Sequence, residues 1–141
     1  MSICKYSKES GQSEEKEWIY DPNRREYPLS LGERAMFIEQ MMNPDSVAYN
    51  FNLLMEVKGI DTEKLISAIS HIMNLHEAFR SYYTWKDGEP VRILTDKVPE
   101  IFVTEAESVK AAKDVINAEI APFDLGDIPV RVKMFRIPQE G

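Results

Sequence analysis

Two histidines, a single cysteine and a few pairs of carboxylates are the side chains of this sequence that could do catalytic chemistry. His76 could act as a general base, but it falls on the apolar stripe of a predicted helix, where a packed imidazole is the expected role. Cys4 lies in a polar stretch without the structured, positive surroundings that activate a thiol. Asp124 and Asp127 belong to a predicted loop, which is typical of turns rather than of a glycosidase pair. These residues alone therefore predict no catalytic site.

The remaining polar candidates favour structural roles. Glu77 and Arg80 lie three residues apart, the spacing at which opposite charges pair along a helix. An arginine that follows an apolar helix also suits a buried carboxylate partner. With only His71 and His76 as imidazole ligands, a zinc site is hard to assemble, and the isolated glycines form no phosphate-binding loop. We expect neither a metal ion nor an intrinsic cofactor.

Composition and charge exclude several classes of protein. A chain of 141 residues that is 43% hydrophobic is long enough for one domain with a core, and it is not disordered throughout. Its formal net charge of −7 would repel nucleic acid. The sequence has no apolar run of the roughly 20 residues that span a bilayer, and its first residues lack the apolar core of a secretory signal. We expect a cytoplasmic protein without nucleic-acid or membrane partners.

The chain divides into a tail and a body. Residues 1–26 are mostly polar and cannot bury enough surface to fold alone. We interpret them as a flexible tail or linker, which Trp18 and Tyr20 could pin to the body. The body, residues 27–141, contains all of the predicted helices and strands.

The first predicted helix and strand have clear signals. Ser30 and Glu33 have the spacing of a capping box, and the Asn43-Pro44 pair stops the helix. Its apolar stripe recurs with helical spacing at Leu31, Ala35, Ile38 and Met42. Residues 47–57 then alternate between apolar and mostly polar side chains, which predicts a strand with one buried face.

Further elements follow in alternation. A second helix is predicted from Asp61 or Thr62 to Phe79 or Arg80, and His76 lies on its apolar stripe. Asp87-Gly88 predicts a tight hairpin turn between two short strands, at 81–85 and 91–94. The remaining predicted elements are a short strand at 101–104, a helix at 108–120 and a final strand at 130–137. This order predicts an α+β fold, a two-layer sandwich with the helices on one face of a mixed sheet.

Five segments resemble, in the same order, motifs of the condensation domains of nonribosomal peptide synthetases. Residues 27–37 resemble the first motif, and residues 74–83, Asn-Leu-His-Glu-Ala-Phe-Arg-Ser-Tyr-Tyr, resemble the second motif, Arg-His-Glu-x-Leu-Arg-Thr-x-Phe. Residues 44–50, 87–91 and 121–125 match further segments of the family. Two positions depart from the family pattern, because Glu33 replaces a glutamine and Leu75 replaces an arginine.

The resemblance implies a fold similar to chloramphenicol acetyltransferase, in which two lobes surround a tunnel. Residues 27–141 would be the N-terminal lobe, cut before the His-His-x-x-x-Asp-Gly motif, which does not occur in the sequence. The implied reaction is amide formation between a donor and an acceptor that carrier-protein domains hold on 4′-phosphopantetheine arms, as in the synthesis of peptide antibiotics. The second histidine of the absent motif would orient or deprotonate the acceptor amine, and the C-terminal lobe of the same domain would be a partner.

The resemblance also implies roles for five residues of this chain. Ser30, Arg34, His76 and Glu77 match motif positions that are structural. Arg80 matches the arginine that pairs with the aspartate of the absent motif. Since no residue present matches the general base, we expect the isolated chain to be inactive.

Two other functions stay open at this point. The chain could be a stand-alone lobe that acts as a docking module, or it could belong to a carrier-independent acyltransferase of the lipid or wax-ester type. The last predicted strand, at 130–137, would leave an unpaired sheet edge, and such edges recruit other chains. We therefore also expect self-association through this edge.

Overall fold

The computed structural model describes residues 23–138. Cys4, Trp18 and Tyr20 lie outside this range, so the predictions that concern them stay predictions. The described residues form helices and strands in the following order: β1 (Glu26–Pro28), α1 (Leu31–Met42), α2 (Thr62–Leu75), a 3₁₀ turn (Glu77–Arg80), β2 (Ser81–Lys86), β3 (Glu89–Leu94), β4 (Ile101–Glu105), α3 (Val109–Ala118) and β5 (Val132–Arg136). No helix within residues 23–138 is long and apolar enough to cross a membrane.

The capping box at the start of α1 is confirmed. The backbone N–H of Glu33 donates to Ser30 Oγ over 3.2 Å, and the backbone N–H of Ser30 donates to Glu33 Oε2 over 2.9 Å. These two bonds satisfy donors that the first turn of a helix leaves free. The helix ends at Asn43, as expected, and it buries Phe37 edge-on against Trp85 of β2, with 5.5 Å between ring centroids.

The strands β1, β3 and β2 form a three-stranded antiparallel sheet in that order. We call it the hairpin sheet, because β2 and β3 are joined by a hairpin turn. Its turn has positive φ angles at both central residues, 52° at Asp87 and 82° at Gly88, as the predicted Asp-Gly hairpin requires. The sheet includes residues assigned to the tail from sequence, since Glu26 begins β1 and Leu94 donates its backbone N–H to the carbonyl of Arg25.

The second sheet consists of β4 and β5, which are parallel and joined by α3. Ser108 caps α3 through its hydroxyl, which accepts from the backbone N–H of Ala111, and Ala112 is buried. The α+β class is confirmed, but the strands form two sheets where one mixed sheet was expected. The outer edge of β2 is already in use, because Tyr83 donates its backbone N–H to the carbonyl of Leu125 over 2.7 Å. A loop, rather than another strand, therefore borders β2 at this point.

The predicted strand at residues 47–57 is wrong. The stretch contains a turn at Ala48 and Tyr49, and residues 51–58 belong to no strand. Its apolar side chains are exposed, with 86% of Phe51 and 68% of Met55 accessible. Alternation specifies an extended chain with one apolar face, but a strand also needs a neighbour for its backbone hydrogen bonds. No strand among the described residues supplies that neighbour.

The predicted end of the second helix and the predicted burial of His76 are also wrong. α2 ends at Leu75, and His76 adopts extended angles, φ −102° and ψ 118°, with an exposed side chain. The chain then tightens into the 3₁₀ turn, in which Phe79 donates its N–H to the carbonyl of His76. The continuous apolar stripe does not hold the helix together, because Ile72 on that stripe is 49% exposed and gains little from packing.

Candidate functional site

The candidate residues from the sequence fall into two groups. The Arg80 site consists of the 3₁₀ turn, His76 in front of it and Thr95 at the end of β3. The α1 cap group consists of Ser30, Arg34 and the residues they contact. The structure brings residues together within each group, and within residues 23–138 no hydrogen bond or ion pair joins Ser30 or Arg34 to the Arg80 site.

Arg80 is held at the junction between α2 and the hairpin sheet. Its Nη1 donates to the carbonyl of Thr95 over 2.9 Å, and Thr95 returns its backbone N–H to the carbonyl of Arg80 over 2.8 Å. The Nε of Arg80 is buried and has no hydrogen-bond partner within residues 23–138. A buried donor left unsatisfied costs about 1–3 kcal/mol. A carboxylate would satisfy it, because the guanidinium presents its N–H groups in a fork that matches two carboxylate oxygens.

Glu77 does not pair with Arg80, although their spacing allows it. The carboxylate of Glu77 has no hydrogen-bond or ion-pair partner in the described part of the chain, whereas its backbone carbonyl accepts from Ser81 Oγ over 2.8 Å. The guanidinium of Arg80 reaches Thr95 instead. The pairing of Glu77 with Arg80 that their spacing suggested is therefore absent among the described residues, and the structural role of Glu77 stays a prediction.

His76 shows no arrangement for catalysis. Its ring meets the edge of Phe79 at 6.4 Å between centroids, and no acidic side chain bonds to it among the described residues. A general base must lie within hydrogen-bond reach of the proton that it accepts, and a neighbouring side chain commonly holds it there. The exposed imidazole of His76 has no such hydrogen-bonded neighbour among the described residues.

The α1 cap group fastens α1 to β3. Arg34 Nη1 lies 2.6 Å from Glu89 Oε2, and Glu33, which completes the capping box with Ser30, lies 3.6 Å from Arg92 Nη1. The Arg34 pair is exposed, and surface pairs of this kind contribute up to about 1 kcal/mol. These contacts connect α1 to β3, and the structural role expected for Ser30 and Arg34 stays a prediction.

Sequence reasoning missed a row of side chains across the hairpin sheet. Tyr27, Arg92 and Tyr83 are neighbours in register on β1, β3 and β2, and the Arg92 guanidinium lies 4.9 Å from the centre of the Tyr27 ring. Burial raises the pKa of the Tyr83 phenol, the charge of Glu33 adds to this, and Arg92 opposes it. The predicted turn at Asp87-Gly88 already sets Tyr83 opposite Arg92, but nothing in the sequence indicated that β1 would add Tyr27 to the same row.

Arg131 is a second residue that sequence reasoning missed. Its Nη1 donates to the carbonyl of Ala121 over 2.8 Å, its Nη2 donates to the carbonyl of Pro122, and its guanidinium stacks 4.1 Å from the Phe123 ring. Asn50 Nδ2 shares the carbonyl of Ala121 over 3.0 Å. These bonds bring together two segments that resemble family motifs, 44–50 and 121–125.

These contacts hold the helices and strands of the lobe in place. The described residues contain no cluster of His, Cys, Asp and Glu that could hold a metal ion. Neither His76 nor His71 is hydrogen-bonded to a nucleophile within residues 23–138. The arrangement is an α+β lobe in which the buried Nε of Arg80 has no partner among the described residues.

Comparison with known protein families identifies the family of this chain. The family model of the condensation domain matches residues 23–141. The chain therefore belongs to the condensation-domain family.

Individual relatives share the fold and the sequence pattern over most of the chain. The chain is 30% identical over 114 residues to surfactin synthase subunit 2 of Bacillus subtilis (strain 168), which covers 79% of this chain and 3% of the relative. It is 32% identical over 106 residues to tyrocidine synthase 3 of Brevibacillus parabrevis, with 74% and 2% covered. The solved condensation domain of the Monacolin K polyketide synthase MokA matches with a TM-score of 0.63 and 17% identity, over 80% of this chain and 27% of that one. The structural match to the MokA domain shows that this chain shares its fold.

Proposed function

We propose that this chain is the N-terminal lobe of a condensation domain that forms an amide bond. In this proposal the donor and the acceptor are carried on the 4′-phosphopantetheine arms of carrier-protein domains. The lobe contributes one wall of the reaction chamber and holds part of its framework. The family match over residues 23–141 is the single observation that carries the proposal.

The chemistry that the lobe needs comes from residues that complete the domain, on the same polypeptide or on another. A tethered amine and a tethered thioester gain much of their rate from proximity, since a held pair reacts as one molecule. A histidine near the amine would orient it or accept its proton. Neither His71 nor His76 is hydrogen-bonded as a base requires within residues 23–138, so the lobe alone supplies no such group.

We propose that Arg80 joins the lobe to this completing part. Its buried Nε lacks a partner among the described residues, and Thr95 already fixes its Nη1. A carboxylate beside the catalytic histidines, as in the motif His-His-x-x-x-Asp-Gly, would take up the free donor. Ser30 and Arg34 would act at a distance, by fixing α1 against the hairpin sheet.

An acyl-transfer assay tests this function directly. The chain is mixed with two carrier proteins, one loaded with a donor thioester and one with an aminoacyl acceptor, and the amide product is measured by mass spectrometry. We expect no product above the uncatalysed rate. The same residues joined to the remainder of a condensation domain should form the amide. Turnover by the chain alone that His76→Ala abolishes without unfolding would contradict the proposal.

A docking module without catalysis is the second candidate function. It is favoured by one observation, the number of large apolar side chains that the described residues leave exposed, among them Leu53 and Leu75. Repeating the assay with a free thioester in place of the loaded donor carrier separates a carrier-independent acyltransferase from both, because such an enzyme would use either donor.

A further inference from the structure

A long loop, residues 119–131, separates α3 from β5. Loops longer than about 12 residues that contain no helix or strand are uncommon in a compact domain and usually carry a function. The middle of this loop forms a tight turn. Asp124 Oδ1 accepts the N–H of Gly126 over 2.8 Å, and the carbonyl of Asp124 accepts the N–H of Asp127 over 3.2 Å. Leu125 lies inside this turn, which therefore fixes the direction of its carbonyl.

The turn meets the hairpin sheet through a single backbone bond. The N–H of Tyr83 donates to the carbonyl of Leu125 over 2.7 Å. Among the described residues no other backbone hydrogen bond joins the hairpin sheet to β4, α3, β5 or the loops between them. Tyr83 belongs to β2, which begins directly after Arg80 and pairs with β3 on its other side. The loop therefore borders the free side of the strand that starts at Arg80.

Arg131, which directly precedes β5, holds the loop from the opposite side. Its two Nη atoms donate to the carbonyls of Ala121 and Pro122, over 2.8 and 2.6 Å, and its guanidinium lies 4.1 Å from the centre of the Phe123 ring. Asn50 donates to the same carbonyl of Ala121. A guanidinium suits this position, because its rigid fork donates to two acceptors while its flat face stacks on a ring.

We propose that Arg131 is a positioning residue, which fixes residues 121–126 against β2 and so sets where Arg80 stands relative to β5. The contacts form a continuous path, from Arg131 to the loop, from the loop to Tyr83, and along β2 back to Arg80. The inference rests on the proposed function, in which a carboxylate of the completing residues takes up the buried Nε of Arg80. The place of Arg80 then matters for the reaction, because a misplacement of about 1 Å can lower a rate roughly a hundredfold.

Hydrogen exchange of single backbone amides, measured by NMR in the 141-residue chain, tests this role. Arg131→Ala should speed exchange of the Tyr83 amide roughly tenfold, because the loop that accepts its hydrogen bond opens more often. The Thr84 amide is the internal control. Thr84 pairs with Val91, and bonding directions alternate along a strand, so its N–H faces β3 and should exchange as in the natural chain. A residue that only stabilises the fold would speed both amides alike, through unfolding.

Two further variants complete the exchange experiment, and circular dichroism checks that each is folded. Asn50→Ala removes one of the bonds to the carbonyl of Ala121 and should speed Tyr83 exchange by a smaller factor, roughly threefold. Arg136→Ala removes the same charge from β5, where the side chain reaches Glu63 instead of the loop, and should leave Tyr83 exchange unchanged.

The acyl-transfer assay supplies the catalytic measurement. In the polypeptide with the complete domain, Arg131→Ala should lower kcat roughly tenfold and leave the KM for the loaded donor unchanged, because Arg131 acts through Arg80 and touches no substrate. Arg136→Ala should leave both constants as they are in the natural polypeptide.

The outcomes separate this inference from the proposed function. If Arg131→Ala leaves Tyr83 exchange unchanged, or speeds it no more than Thr84 exchange, the inference is overturned even when the complete polypeptide forms the amide. If Arg131→Ala does not fold, Asn50→Ala decides, and unchanged Tyr83 exchange in that variant overturns the inference. An unchanged kcat overturns the positioning role. A natural complete polypeptide that forms no amide overturns the proposed function, whereas selective release of Tyr83 would still support the fixed join between the loop and β2.

Discussion

The hairpin sheet and residues 51–58 both contain alternating apolar sequence, but only the hairpin sheet has paired strands. In the hairpin sheet, Ser81 pairs with Leu94 across a two-residue turn, and α1 covers the sheet through Phe37. Residues 51–58 pair with no strand among the described residues, and the bonds of Asn50 to the carbonyl of Ala121 and of Glu63 to Arg136 lie outside this segment. Pairing two strands across a tight turn costs little loop-closure entropy. A strand sequence without a neighbour close by in the chain depends on a partner from further away.

The largest difference between the two regions should appear when one phenylalanine is removed from each. Phe37 is 3% exposed and packs on Trp85, so Phe37→Ala should lower the free energy of unfolding by about 3–5 kcal/mol. Phe51→Ala, at a side chain 86% exposed, should change it by less than about 0.5 kcal/mol. Urea unfolding followed by circular dichroism measures both, under conditions in which the chain is monomeric. Equal losses would mean that the two regions are packed alike.

The turn of the hairpin sheet should show the next largest effect. Gly88 has a φ of 82°, which an alanine adopts only with strain, so Gly88→Ala should cost about 1–2 kcal/mol. Gly32 lies in α1 with nothing within 4 Å of an added Cβ, and Gly32→Ala should stabilise the chain by about 0.5 kcal/mol. Thermal unfolding of the two variants should therefore shift in opposite directions. A shift in the same direction would show that the turn is not what fixes the sheet.

Titration of Tyr83 should give the smallest effect. Burial, assisted by Glu33, raises the pKa of its phenol above the value in the unfolded chain, which is about 10. The neutral phenol is therefore favoured in the folded state. The stability it contributes is fully present below pH 10 and is lost as the pH rises through the raised pKa.

Tyr83→Phe removes that pH dependence. The variant should lose less stability above pH 10 than the natural chain, and Tyr49→Phe at an exposed position serves as its control. Identical curves for the natural chain and Tyr83→Phe would place Tyr83 outside the sheet interior.

Local signals account for the parts that could be predicted from sequence. The capping box at Ser30 and the turn at Asp87-Gly88 each depend on a few neighbouring residues, and both are confirmed. The alternation of residues 47–57 predicted a strand and could not supply its partner. The helical spacing of apolar residues placed His76 inside α2. No surface among residues 23–138 packs on that part of the stripe, and His76 lies at the end of the helix instead.

The Arg80 site was predictable only in part. Family resemblance pointed to Arg80, but the bond to Thr95 joins residues 15 apart that no local pattern connects. The roles of Arg92 and Arg131 likewise depend on strand register and loop path. Side chains of this kind are found when the backbone is known, because their partners are carbonyls and rings brought together by the fold.

The central claim is that this lobe holds Arg80 for a carboxylate supplied by the rest of a condensation domain. Arg80→Ala tests it most directly when its effect on the free energy of unfolding is measured in two contexts. In a polypeptide with the complete domain, removing one partner of a buried pair should cost about 3–5 kcal/mol. In the 141-residue chain the variant gives up the bond to Thr95 but also removes the unsatisfied Nε, so the cost should not exceed about 1 kcal/mol. The same cost in both contexts would show that Arg80 has no such partner and would contradict the account.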